Sequence, residues 1–367
     1  MNFGKLVEGA VKVRASDIHI GEGAPPYFRV DGTILPLKDA PPTSREAMDE
    51  LLKAIMPERL RARLEKERGA DFSYQHGDLV RLRLVAFFEN ERLRLVIRLV
   101  SLKVPTLAEL ELPSTLQVLT DFHFGIVLVT GPTGSGKSST LAALINHINE
   151  THRKSIITIE DPIEFVHSNK KSIIAQRQVG NDVPSFNNGL IQAMRQDPDV
   201  ILVGEMRDQE TIRTGLQASE TGHLVFSTLH TTTAAQTIDR VINMFPQSEH
   251  VVLRDQLSMN LKAVVSQILC RRKEGKGRIA ALEIMICTPT IAKLIKENRI
   301  SDIFGVMKTG ESGMQVFDQA LANLVRADRI SEEEGLRYAH DEFAFRRYVK
   351  GVSASSDRGG IIGGFSG

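Results

Sequence analysis

The chain has 367 residues, of which 42% are hydrophobic and 25% charged, and its net charge is +1. This composition supports a buried core and excludes a disordered chain, while balanced charge and 5% aromatic content without tryptophan argue against a general nucleic-acid grip or a base-stacking platform. Two cysteines, Cys270 and Cys287, are too few for a four-cysteine zinc site or a disulfide framework, which fits a reducing cytoplasm, and no run approaches the roughly 18 apolar residues of a membrane span. At the N-terminus Lys5, Glu8, Lys12 and Arg14 interrupt any apolar secretory core.

Residues 1–100 read as a small α+β domain. Alternation predicts a strand over Ser16–Ile20 and a hairpin over Tyr27–Ile34, turning at Asp31-Gly32. Periodic Met48, Leu51, Leu52, Ile55, Leu60 and Leu64 predict a helix over 44–67, interrupted at Pro57. Alternating strands follow at Leu79–Phe88 and Leu93–Val100, joined by Glu89–Arg92. Residues 101–115, with Pro105 and Pro113, read as a linker. Over 116–350, apolar strands at Ile126–Thr130, Ser155–Ile159, Val200–Gly204 and Leu224–Leu229 alternate with helices. That is the α/β pattern of a mainly parallel sheet covered by helices. Residues 351–367 are rich in glycine and serine and read as a disordered tail.

The segment GPTGSGKS at 131–138 fits Gly-x-x-x-x-Gly-Lys-Ser/Thr, between the apolar run Ile126–Thr130 and a helix marked by Leu141, Leu144, Ile145 and Ile148. Strand, glycine loop and helix N-terminus make a phosphate cradle. Its expected nucleotide-binding residues are Gly131, Pro132, Thr133, Gly134, Ser135, Gly136, Lys137, Ser138 and Ser139. Lys137 would reach the β- and γ-phosphates of ATP, and the Ser138 hydroxyl would ligate Mg²⁺.

Glu205 closes the apolar strand 200–204, where a carboxylate can act on the Mg²⁺ shell or orient the attacking water. Glu160, Asp161 and Glu164 form a second acidic cluster after the strand 155–159. Spacing leaves open which acid accepts the proton. Thr228 and His230 stand at the end of the strand 224–229, where they would sense the γ-phosphate. His223 begins the same strand, and either a structural or a catalytic role is open to it. Arg81, Arg83, Arg94 and Arg98 lie on the paired strands of the small domain, spaced to face one side. By themselves they read as solvated strand edges.

The four segments GPTGSGKSST, ITIEDPIEF, QDPDVILVGEMRD and ETGHLVFSTLHT stand in the order and spacing of the secretion-type ATPases. Within that group the chain resembles the PilT/PilU family of twitching-motility, or type IV pilus retraction, ATPases. SDIHI, PPYFRVDG and Ile238–Ile242 extend the likeness, which covers about residues 1–345. The resemblance implies a RecA-like P-loop NTPase domain preceded by a small PAS-like α+β domain, and a ring of six chains. It assigns Lys137 and Ser138 to the Walker A motif, Glu160, Asp161 and Glu164 to the aspartate box, Glu205 to Walker B, and His223 and His230 to the histidine box. It also makes Arg81, Arg83 and Arg98 candidate arginine fingers, acting on a neighbouring chain's nucleotide. Arg195 and Arg207 are weaker candidates.

There are departures from the family. Retraction members carry Ala-Ile-Arg-Asn-Leu-Ile-Arg-Glu, where this chain reads TIAKLIKE at Thr290–Glu297. The stretch Gly313–Leu321 is nearer the PilU branch. The zinc cysteines and longer N-terminal region of extension and type II secretion relatives are absent, which lowers that reading. The expected activity is hydrolysis of ATP to ADP and phosphate, powering pilus retraction. The expected partners are five further copies, an inner-membrane platform protein and a paralogous retraction ATPase, with no nucleic acid. The expected location is the cytoplasm, peripheral at the inner membrane through those partners. Alternatives are an accessory PilU-like motor, an extension or secretion ATPase, a nucleotide-binding switch and, from a different class, a nucleic-acid translocase.

Overall fold

The computed structural model describes residues 2–30, 32–38, 40–100 and 103–351. The expected turn residue Asp31 and all of the tail beyond Gly351 lie outside the described residues. The chain divides into two units, Met1–Lys103 with Glu164–Val166, and Val104–Ile163 with His167–Gly367.

The first unit holds β1 (Asp17–Gly21), β2 (Tyr27–Val30), β3 (Thr33–Pro36), β4 (Gly69–His76), β5 (Val80–Glu89) and β6 (Arg92–Val100), in the order β3-β2-β1-β6-β5-β4. Every neighbouring pair is antiparallel. Helices α1 (Phe3–Lys12), α2 (Arg45–Ile55) and α3 (Glu58–Glu67) supply Val7, Met48 and Leu64, respectively, to a core shared with Ile18, Leu82, Leu84, Leu95 and Ile97. Ser44 caps α2 by accepting from the Ala47 amide, and Pro57 stands at the N-cap of α3. Proline here ends one helix and starts the next, because its fixed φ and missing N–H forbid a continuous run. The β5–β6 hairpin is tighter than its sequence suggested. Glu89 pairs with Arg92, leaving Asn90 and Glu91 as a two-residue turn with φ of 48° and 62°. In that register Arg83 lies opposite Arg98 and Phe87 opposite Arg94, so the four arginines share the face that alternates with the core positions.

The second unit is built on β7 (Gly125–Thr130), β8 (Ser155–Glu160), β9 (Ile173–Gln178), β10 (Val200–Val203), β11 (Leu224–Leu229), β12 (Leu261–Arg271) and β13 (Arg278–Ile286). The strand order is β13-β12-β7-β11-β10-β8-β9. Only β12 and β13 pair antiparallel within it. The helices are α4 (Thr115–Val118), α5 (Lys137–Thr151), α6 (Phe186–Ala193), α7 (Gln209–Glu220), α8 (Ala234–Asn243), α9 (His250–Asn260), α10 (Pro289–Lys296), α11 (Ile303–Met307), α12 (Phe317–Arg326), α13 (Glu332–Tyr338) and α14 (Glu342–Val349).

Strands buried on both faces read as continuous apolar runs, and their alternate residues enter two different cores. Ile126, Leu128, Ile201, Val203 and Val225 join Ile212, Leu216 and Ile238 of α7 and α8. Val127, Val129, Leu202 and Phe226 join Leu141, Leu144 and Ile148 of α5 on the other side. The stretch expected to link the domains contributes Leu107 and Leu112 to this second core, and Glu111 within it pairs with Arg272 and Arg329. In α10 the apolar Ile291, Leu294 and Ile295 are buried, Lys293 is exposed, and Lys296 pairs with Asp255 of α9 at 3.1 Å. No helix among the described residues is long and apolar enough to cross a membrane.

Candidate functional site

The parallel strands β7, β8, β10 and β11 end in register, with Thr130 beside Leu229, Ser227 beside Val203, and Val203 beside Ile159. Whatever follows these strands meets at one edge of the sheet, the edge where open α/β sheets bind ligands.

After β7 the chain turns through Gly131, Gly134 and Gly136, at φ of 141°, 79° and 90°. A side chain at Gly131 would also place its Cβ 2.3 Å from the Gln267 carbonyl oxygen, so glycine is needed there for space as well as conformation. Gln267 on β12 holds the loop from beneath. Its Nε2 donates to the Ser135 carbonyl at 2.7 Å, and its Oε1 accepts from the Thr140 hydroxyl at 2.7 Å. Lys137, the first residue of α5, folds back and donates to the carbonyls of Gly131 at 2.8 Å and Pro132 at 3.0 Å. Ser138 is exposed one position further on, between Lys137 and the half-buried Ser139, while Pro132 and Thr133 form the exposed shoulder of the loop. The buried Ser135 hydroxyl has no hydrogen-bond partner among the described residues. An unsatisfied hydroxyl inside a ring of backbone amides at a helix N-terminus fits phosphate oxygens.

A cavity of about 280 Å³ opens beside this first helical turn, lined by Gly136, Ser139 and Thr140 together with Leu110, Leu112, Leu269, Arg272, Ile279 and Ala280. Glu109, Gln267 and Arg278 give the lining a mixed character, with apolar surface for the flat face of a nucleotide base and polar groups for its edge.

Glu205 follows β10. Its Oε1 accepts from His230 Nε2 at 2.9 Å and from Arg207 Nε at 2.5 Å. Burial pushes the Glu205 pKa up, but the Arg207 hydrogen bond and charge, helped by His230, outweigh it and hold the carboxyl below its ordinary range. Thr228, read from sequence as a phosphate sensor, instead donates its hydroxyl to the Gly204 carbonyl at 2.7 Å. It fixes the backbone that carries Glu205. Glu160 ends β8 with its Oε1 accepting from Thr158 at 2.6 Å and Gln176 at 3.1 Å. Asp161 is exposed, and its charge acts on Arg207. Glu164 is exposed in the segment that groups with the first unit.

Two of the weaker sequence candidates fall elsewhere. His223 precedes β11, at the opposite end of that strand from His230, and its Nδ1 bonds the Ala218 carbonyl at 2.8 Å. It closes the end of α7. Arg195 lies between α6 and the start of β10, again at the opposite end from Glu205. In the first unit, Arg98 Nε donates to Asp17 Oδ1 at 3.1 Å, and Arg81 and Arg83 are half-buried.

Among the described residues no group of three His, Cys, Asp or Glu side chains makes a metal cage. The oxygen donors that end the strands and begin α5 fit Mg²⁺, which takes one or two protein oxygens beside phosphate and water. Ser138, the second residue of α5, is an exposed oxygen of that kind.

A model of the Type II/IV secretion system protein family matches residues 2–334. The chain belongs to this family. The type IV pilus retraction ATPase PilT of Pseudomonas aeruginosa is 46% identical over 334 residues, 91% of this chain and 96% of that protein. PilU, a type IV pilus ATPase of the same organism, is 38% identical, covering 97% and 93%. A crystal structure of the pilus retraction motor PilT with bound ADP superposes with a TM-score of 0.89 at 40% identity, over 95% of this chain and 99% of that one. Within the secretion family the parallel-sheet unit is the RecA-like ATPase fold, and the antiparallel unit is the expected small α+β domain.

Proposed function

We propose that this chain is a type IV pilus-retraction ATPase that works as a homo-hexameric ring. The observation that carries the reading is the meeting of the glycine loop with the Glu205–His230 pair at one edge of the sheet. ATP lies with its base in the cavity beside α5 and its phosphates on the loop. Lys137 leaves its loop carbonyls for the β/γ-phosphates, and the Ser135 hydroxyl and loop amides take phosphate oxygens. Ser138 would hold the Mg²⁺ that comes with the nucleotide, and the ion would supply charge neutralisation at the phosphates. Glu205, its carboxyl held below the ordinary range, is ionised and acts on the attacking water; His230 holds its carboxylate in place. Glu160 shapes the acidic side of the site. Arg81, Arg83 and Arg98 serve the nucleotide of a neighbouring chain.

The ring acts at the cytoplasmic face of the inner membrane, on a platform protein of the pilus, with a paralogous retraction ATPase as a second partner. Identity with PilT exceeds that with PilU, which supports the principal over the accessory motor. Deleting the gene tests the direction of work: cells should carry more and longer pili. Re-expression of Lys137→Ala should leave them so. Cells without pili after deletion would make this an extension motor.

A further inference from the structure

Glu283 lies in the middle of β13 and is 2% exposed, yet nothing in the chemistry above uses it. Its Oε1 accepts from the Ala234 amide at 2.7 Å. Ala234 is the first residue of α8, and the residues just before it are the loop that carries His230. The sheet register makes the placement specific. Glu283 pairs with Ser266, Ser266 with Thr130, and Thr130 with Leu229. One row across four strands therefore joins Glu283, the base of the phosphate loop and the base of the histidine loop. The Thr130 hydroxyl donates to Ser266 at 2.9 Å within that row.

The loop 230–233 is held at both ends. One end is Leu229, fixed in the sheet; the other is the first turn of α8. That turn is tied to the loop by Thr231 with Thr237 at 2.7 Å and by the Thr237 hydroxyl to the Thr233 carbonyl at 2.7 Å. These bonds join loop to helix but not helix to sheet. The Glu283–Ala234 bond does that, and it satisfies an amide at a helix start that has no partner within the helix. His230 itself has an exposed side chain, so packing does little to hold it. Its distance to Glu205 is set by the loop backbone.

We infer that Glu283 is a positioning residue: by pinning the N-terminus of α8 to β13 it sets the histidine loop, and through it the His230–Glu205 contact. Burial, together with the buried Asp318 on α12, pushes the Glu283 pKa up to about 7. Its neutral form still offers a carbonyl oxygen to Ala234. The acceptor, rather than the charge, is what the loop requires.

This inference rests on the ATPase reading, and the tests separate the two. In the assembled full-length protein, Glu283→Met fills the volume without the acceptor, and Glu283→Gln keeps the acceptor. Ala234→Pro removes the donor at a helix position where proline is favoured. Glu283→Met and Ala234→Pro should each lower kcat per folded chain by about 10-fold, the scale of a sub-ångström misplacement. KM for ATP and ADP affinity should change less than about two-fold, because the phosphate loop is untouched. The double variant should be no worse than either single one. Glu283→Gln should stay within about two-fold of wild type in kcat. Independently of turnover, hydrogen exchange at the Ala234 amide should lose its protection in Glu283→Met and keep it in Glu283→Gln. An inactive wild type would remove the ATPase reading but leave the exchange test standing. Wild-type kcat in both folded single variants, unchanged Ala234 protection in Glu283→Met, or equal loss in Glu283→Gln and Glu283→Met would overturn the inference.

Discussion

The Glu205 carboxyl group is subject to opposing influences. Burial favours its neutral form; Arg207 and His230 favour the anion and prevail. The Arg207 side chain is 72% exposed, so solvent screens part of its effect. Its removal should still let burial dominate. In Arg207→Gln the Glu205 pKa should rise, so the carboxylate is lost at a higher pH as the solution is acidified. The acidic limb of kcat against pH, measured from about pH 5 to 8, should move toward neutral pH, with little change above it. An unmoved acidic limb would mean that Arg207 does not tune this carboxylate. Thr228 illustrates the same scale. Its position beside the site was legible from the strand end, but its hydroxyl is committed to the Gly204 carbonyl, a pairing between strands that no spacing reveals.

At the scale of elements, the phosphate loop depends on β12. Gln267 satisfies both the Ser135 carbonyl and the Thr140 hydroxyl, and all three groups are buried. Gln267→Leu strands both, at a cost of about 1–3 kcal/mol for each buried group left unpaired. Thermal stability and ATP affinity should both fall. Melting temperature and nucleotide titration check this; an unchanged ATP affinity in a folded Gln267→Leu would show that the loop holds its shape alone.

Strand β12, and with it Gln267, carries no clear signal in the sequence. Helix α9 ends at Asn260 and β12 begins at Leu261, with no glycine or proline between them. Ser266 and Gln267 then break the apolar run that marked the other strands. Strand β4 was lost for a similar reason, since half-buried Ser73 and Tyr74 and exposed Gln75 blur its alternation. The glycine loop, Glu205 and His230 were legible because each comes at the end of a short, strongly apolar strand bounded by turn residues. The sequence puts His223 at the start of β11 and leaves its role open; the structure adds its Nδ1 bond to the Ala218 carbonyl. The bond from Arg207 is not legible in the sequence, because no periodicity places a residue two positions from Glu205 on the same carboxylate oxygen as His230.

For the whole molecule, the proposed ring would make each active site depend on two chains. The arginine register supports this reading: Arg83 and Arg98 stand opposite each other on one face of the first unit's sheet. Specific activity should rise with protein concentration until the ring is complete. Mixing inactive Arg98→Ala chains with inactive Glu205→Gln chains should restore turnover, because an intact arginine then meets an intact Glu205. Arg98 also bonds Asp17, so the melting temperature of Arg98→Ala must be measured beside its activity. No recovery on mixing two folded variants would remove Arg98 from the active site.

The central claim is that the glycine loop binds ATP and that Glu205, held opposite it, drives hydrolysis. Phosphate release by Glu205→Gln, with ATP binding measured on the same preparation, tests it most directly. Binding should stay within about three-fold of wild type while kcat falls by roughly 10²–10⁴-fold, the range for loss of a group acting in proton transfer or on the attacking water. Wild-type turnover by folded Glu205→Gln, or loss of binding together with turnover, would contradict the claim.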